Sequence, residues 1–79
     1  MKKNILINKK IDKIFKKILK KNITKNVFFE KEEHWDSMAH INLIIAIEKE
    51  FKIRISYLES PTLTDKNKII SFIKNKVNS

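Results

Sequence analysis

The 79-residue chain contains no cysteine, no glycine and a single proline, Pro61. Lacking cysteine, it forms no disulfide, builds no thiolate metal site and offers no thiol nucleophile of its own. Lacking glycine, it has no glycine-rich loop to cradle a phosphate. No apolar run is long enough to cross a bilayer, so no membrane span is expected. The run Ile5-Leu6-Ile7 behind Met1-Lys2-Lys3 is too short for the hydrophobic region of a signal peptide, and a cytoplasmic setting is expected. The length supports one domain, residues 1–79, near the lower limit at which a single core holds a fold.

The net charge of +9 is unevenly spread. Residues 1–35 carry eleven lysines against four acids, residues 36–58 carry three charges of each sign, and residues 59–79 carry four lysines against two acids. Lysine, isoleucine and asparagine are abundant while alanine is scarce, a composition that an AT-rich coding sequence produces without selection for a basic partner. A small basic helical nucleic-acid-binding module is the alternative reading. It would bind through counterion release, without specificity, because no recognition-helix, RNP or zinc-finger signature is present. No specific nucleic-acid partner is therefore expected.

Ile7, Ile11, Ile14, Phe15 and Ile18 recur at three- and four-residue spacing with lysines on the other faces. This predicts a first helix over residues 5–19, its stripe widened by Leu19. Such a helix suits an anionic membrane surface, but the chain supplies further helices to pack against. A core helix with lysine stems flanking the stripe is expected. From Lys20 to Trp35 the periodicity breaks into a long connection whose apolar points are Ile23 and Val27-Phe28-Phe29. Long ordered connections pack on the core or serve a function, and the phenylalanine pair is expected to pin this one across the helices. Trp35 is placed to fold back on the next helix as a hydrophobic staple.

Asp36 reads as the N-cap of a second helix and Ser37 as its first residue, near the positive end of the dipole. At about 100° per residue, His40, Leu43, Ile44, Ile47 and Phe51 gather on one side, the core side. Met38, Ile41 and Ile45 form a second apolar group beside them. The helix runs to Glu50 or Phe51. Lys52-Ile53-Arg54-Ile55 then alternates, which reads as an extended turn with both isoleucines toward the core and no partner strand. Tyr57 to Ser60 reads as one short turn of helix stopped by Pro61. Thr64 or Asp65 caps a last helix carrying Ile69, Ile70, Phe72, Ile73 and Val77, with lysine and asparagine on its exposed face. The expected fold is all-α, with three longer helices, one short third helix and a long first loop.

An enzyme needs a paired acid and base, an activated nucleophile or a metal shell. His34 and His40 lie six apart without recognisable ligand spacing. Ser37 and His40 lie three apart in the manner of a nucleophile and its base, but His40 projects toward the core and no oxyanion hole is visible. No catalytic residue and no metal site are assigned. A serine can serve instead as an attachment point. That role needs exposure, a rigid mount and tolerance of a phosphate, all of which the first position of a capped helix provides.

Asp36-Ser37-Met38 resembles the Asp-Ser-Leu attachment motif of acyl carrier proteins and their peptidyl carrier relatives. Met38 in place of leucine is nearly volume-conserving. The helix that follows is similar to theirs, ending in the acid-rich Glu48-Lys49-Glu50-Phe51, and Ile53 and Ile55 fall where that family has its x-Ile-x-Ile turn. The resemblance spans residues 11–77. It implies a four-helix bundle of acyl-carrier type and a carrier rather than an enzyme. A phosphopantetheinyl transferase, using coenzyme A and Mg²⁺, would attach 4′-phosphopantetheine to Ser37, and the thiol of that group would hold acyl or aminoacyl cargo as a thioester. Asp36 would cap the helix and help position the transferase's metal, while Met38, Ile41, Ile45 and Glu48 would meet partner enzymes. The implied partners are the transferase, an acyl- or aminoacyl-loading ligase and an acyltransferase or synthase, with the carrier itself a monomer. Carriers of fatty-acid synthesis are strongly acidic along this helix, whereas Asn42 and Lys49 dilute the acid here. A stand-alone carrier of a specialised pathway is therefore expected, because charge complementarity selects partners.

Overall fold

The structure of the chain, a computed structural model, describes the backbone of residues 2–21, 23 and 25–78. Three α-helices follow in order: α1 (Lys2–Leu19), α2 (Ser37–Phe51) and α3 (Lys66–Asn78). A 3₁₀ helix of three residues, Ser60–Thr62, lies between α2 and α3. No strand forms among the described residues, and the fold is all-α. α1 begins ahead of its apolar pattern, because Lys2-Lys3-Asn4 carries no apolar signal yet opposes helical geometry little.

The apolar periodicity becomes the core. A four-residue ladder on α1, Ile7, Ile11, Phe15 and Leu19, meets Ala39, Leu43, Ile44 and Ile47 of α2 and Ile69 and Ile73 of α3. Ile23, Trp35, Ile55 and Leu63 close it from the connections. α1 packs against both other helices. Ile14 and Ile18, on the flank of the α1 stripe, stay half-buried, as do His40 and Phe51 of α2.

With no glycine available, lysines take the left-handed backbone where helices end. Lys20 follows α1 at φ 59°, and Lys52 follows α2 at φ 53°. A side chain with a Cβ opposes that geometry by roughly 1–2 kcal/mol. After α2 the turn is held by the amides of Lys52 and Ile53, both of which return to the Glu48 carbonyl. Ile55 is then buried and Ile53 half-buried, while Lys52 and Arg54 face water, as the alternation predicts.

The long first connection is tied to the start of α3. Phe29 N–H donates to the Thr64 carbonyl (2.8 Å), and Lys66 N–H donates to the Val27 carbonyl (3.1 Å). Asp65 is the cap: its Oδ1 accepts the Lys68 amide at 2.7 Å. Asn26, reaching across from the connection, accepts the Asn67 amide at 2.9 Å. Three orphan amides of one helix start, those of Lys66, Asn67 and Lys68, are thus satisfied, two of them by the first connection.

Three sequence expectations need correction. Only one phenylalanine pins the connection: Phe29 packs against Trp35 and His40, whereas Phe28 is exposed beside Lys31. Lys66 does not join the wet face of α3. It is buried, its ammonium paired with Asp12 of α1 and donating to the Ile23 carbonyl at 3.3 Å, so that its charge is met on both sides. The helical turn expected over Tyr57 to Ser60 is closed by the Ser60 amide on the Ser56 carbonyl (3.0 Å), but Pro61 does not stop it. Pro61 sits inside the 3₁₀ helix at its first turn, where a missing amide hydrogen leaves no bond unmade. Ahead of it, Ser56-Tyr57-Leu58-Glu59 forms a reciprocal cap. Ser56 N–H donates to Glu59 Oε1 (2.9 Å) and Glu59 N–H donates to Ser56 Oγ (3.0 Å).

Candidate functional site

The start of α2 is fixed from two directions. Asp36 holds extended backbone (φ −96°, ψ −173°), and its Oδ1 accepts the Ala39 amide at 2.8 Å. Trp35, one residue earlier, is buried and turns back on the first helical turn. Its indole Nε1–H donates to His40 Nδ1 at 3.0 Å, the ring planes inclined by 27°. Phe15 and Phe29 meet the indole edge-on at 5.3 and 5.8 Å between centroids. The staple predicted for Trp35 is therefore present, with an imidazole in the place of the usual aliphatic partner.

His40 has both ring nitrogens engaged. Because Nδ1 accepts from the indole, Nε2 carries the hydrogen and donates to the Ser60 carbonyl at 3.0 Å. The imidazole thereby ties α2 to the 3₁₀ helix twenty residues on and does not pair with Ser37.

Ser37 is exposed at the first position of α2. A cleft of about 380 Å³ opens beside it. Phe29, Ile41 and Pro61 give the cleft apolar walls, and Ser37, His40, Ser60 and Thr64 give it polar points. The sequence marks Ser37, His40 and Ile41, which share a helix, but not the opposite wall. That wall depends on the Phe29–Thr64 and His40–Ser60 contacts, between residues far apart in the chain; the one local signal for it is the Ser56-x-x-Glu59 cap. The first of the causes that hold the Glu59 carboxyl below the ordinary glutamate value is the bond from the Ser56 amide, followed by the Ser56 hydroxyl and Lys76. The Glu32 carboxyl is likewise lowered, chiefly by its bond to Lys21 (2.8 Å).

Met38, Ile41 and Ile45 keep 65, 54 and 45% of their surface in water, on the side of α2 away from the buried Leu43 and Ile47. Glu48 stands apart from them in environment. It is half-buried, and its Oε2 accepts the Ile55 amide at 2.8 Å, which fixes the turn after α2. Tyr57 and Leu58, which the sequence reading placed in a helical turn without further role, project into water at 89 and 78% exposure. Among the described residues no three histidine, aspartate or glutamate side chains converge as a metal shell, and no helix is long and apolar enough to cross a membrane.

No protein-family model, no curated protein and no solved structure matches the chain.

Proposed function

We propose that the chain is a stand-alone acyl carrier whose Ser37 accepts 4′-phosphopantetheine from coenzyme A. The observation that carries this reading is an exposed serine at the first position of a rigidly capped helix, at the mouth of a cleft with mostly apolar walls. The residues fit the group. The Asp36 cap and the Trp35–His40 bond hold the mount still, the helix start favours a phosphodiester, and the cleft beside Ser37 has room for part of an arm. When attached, that group supplies the thiol for thioester-linked acyl or aminoacyl cargo that this cysteine-free chain lacks.

In this reading Asp36 keeps the hydroxyl oriented and offers its remaining carboxylate oxygen toward the transferase's metal. Met38, Ile41 and Ile45 form the apolar surface on which enzymes dock, and Glu48 contributes from the same helix while bracing the turn. The three helices and the Ser56–Thr62 segment, standing for a short third helix, make up a carrier-type four-helix bundle. The neutral charge balance of residues 36–58 favours a specialised pathway over fatty-acid synthesis.

The test is to incubate the protein with coenzyme A, Mg²⁺ and a broad-specificity phosphopantetheinyl transferase and to weigh the product. Gain of one arm by the native chain and none by Ser37→Ala is expected. No gain, or a gain that survives Ser37→Ala, refutes the reading.

A further inference from the structure

A second concavity, about 570 Å³, runs between α1 and α2. Its apolar lining is Ile14 and Ile18 of α1 across from Ile45 and Ala46 of α2, with the Asn42 amide beside them on α2. The core does not use this strip fully: the ladder of Ile7, Ile11, Phe15 and Leu19 is buried, while Ile14 and Ile18 are half-buried and Ile45 is exposed. The rims are cationic. Lys13 and Lys17 stand on the α1 side and Lys49 on the α2 side. All three are exposed, and among the described residues no carboxylate lies within ion-pair distance of them. Glu50, the acid in the lining, is paired with Lys10 at 3.1 Å, so it leaves the three lysines uncompensated.

An apolar floor between cationic rims is the complement of one kind of surface, a helix with an apolar ridge flanked by carboxylates. A bilayer is flat and would meet the outer lysines of α1 rather than enter a groove. Nucleic acid would satisfy the lysines and leave the isoleucines uncovered. We propose that the α1/α2 groove docks an acidic amphipathic helix of a partner protein, its ridge on Ile14, Ile18, Ile45 and Ala46 and its carboxylates against Lys13, Lys17 and Lys49. The proposal does not depend on Ser37 carrying anything, although Ile45 belongs both to this groove and to the exposed patch on α2.

The probe is a synthetic amphipathic peptide with leucines at helical spacing and glutamates on both flanks, titrated into the isotopically labelled full chain. Saturable amide shifts at Ile14, Ile18, Ile45 and Ala46 are expected in the native chain and in Ser37→Ala alike. Lys13→Glu/Lys17→Glu/Lys49→Glu should weaken binding on the order of tenfold or more, and the milder Lys13→Gln/Lys17→Gln should weaken it less. The second variant keeps the test valid if charge reversal disturbs folding, which circular dichroism reports. The proposal is overturned if the peptide does not bind, if the shifts fall elsewhere, or if a peptide with glutamine in place of leucine binds as well. It is also overturned if duplex DNA or phosphatidylglycerol vesicles perturb these four residues more strongly than the peptide at the same salt.

Discussion

On the inner face of α2, Leu43 and Ile47 contribute all of their side-chain surface to the core, while on the outer face Met38, Ile41 and Ile45 leave about half of theirs or more in water. The two groups alternate along the same fifteen residues and have similar hydrophobicity. Since apolar stabilisation scales with area removed from water, the inner group holds the fold together and the outer group contributes little to the isolated chain. The fold therefore accounts for the inner residues and gives no account of the outer ones. Their contiguity is what a docking surface requires.

Truncation should separate the faces most widely. Leu43→Ala is expected to cost roughly 2–5 kcal/mol, whereas the exposed truncation Met38→Ala should stay within about 0.5 kcal/mol of the native chain. Urea unfolding followed by circular dichroism measures both, and a reversed order would put the wrong face in the core. A smaller loss is expected from Trp35→Phe. It keeps most of the ring but removes the indole N–H, leaving His40 Nδ1 half-buried without its donor, at about 1–3 kcal/mol. As Trp35 is the only tryptophan, this variant needs circular dichroism rather than fluorescence. A Trp35→Phe chain as stable as the native one would mean that the start of α2 is held by its cap alone.

How much of this was legible in the sequence follows from the range of each interaction. The limits of α2, its Asp36 cap and the division of its faces are set by neighbours three and four residues apart, and these read directly. The same holds for Ile53 and Ile55, whose alternation is local. Phe28 and Phe29 could not be told apart, because which one packs depends on the Phe29–Thr64 bond, made thirty-five residues away in the chain. Lys66 looked like one more surface lysine until Asp12 and the Ile23 carbonyl closed on it. The residue before a proline avoids helical geometry, which makes Pro61 look like a stop in the sequence; the Ser56-x-x-Glu59 cap, which opens a turn and carries the chain through to the proline, is the local signal against it. At the site itself, Ser37 and Ile41 were visible, but the far wall of the cleft was not.

The next contrast lies within a single pair of neighbours at the start of α2. Asp36→Ala removes the acceptor for the Ala39 amide and should cost about 0.5–2 kcal/mol. Ser37→Ala changes an exposed side chain and should alter stability by no more than about 0.5 kcal/mol. In the transferase assay the proposed function predicts the inverse order, with Ser37→Ala expected to abolish modification and Asp36→Ala only to slow it. If Ser37→Ala destabilised the chain as much as Asp36→Ala, the serine would be part of the mount and the inner-versus-outer distinction would fail at its most important residue.

The smallest effect expected is on acid sensitivity, which the outer face of α2 should not share. Glu59 accepts the Ser56 amide and faces Lys76, and its carboxyl is held below the ordinary glutamate value of 4.5. A folded value below the unfolded one means that the stabilisation is fully present above the unfolded value and is lost as pH falls through the folded value. Glu32, lowered chiefly by Lys21, loses its contribution in the same acid range. Removing one of the two isolates it. Glu59→Gln keeps a hydrogen-bond acceptor without the titrating group, so its melting temperature should fall less steeply than that of the native chain below about pH 4.5. Met38→Ala carries no titrating change and should run parallel to the native curve throughout. A Glu59→Gln curve parallel to the native one would show that ionisation of Glu59 contributes nothing to folding. A Met38→Ala curve that diverged in acid would show that the outer face is coupled to the carboxylates after all.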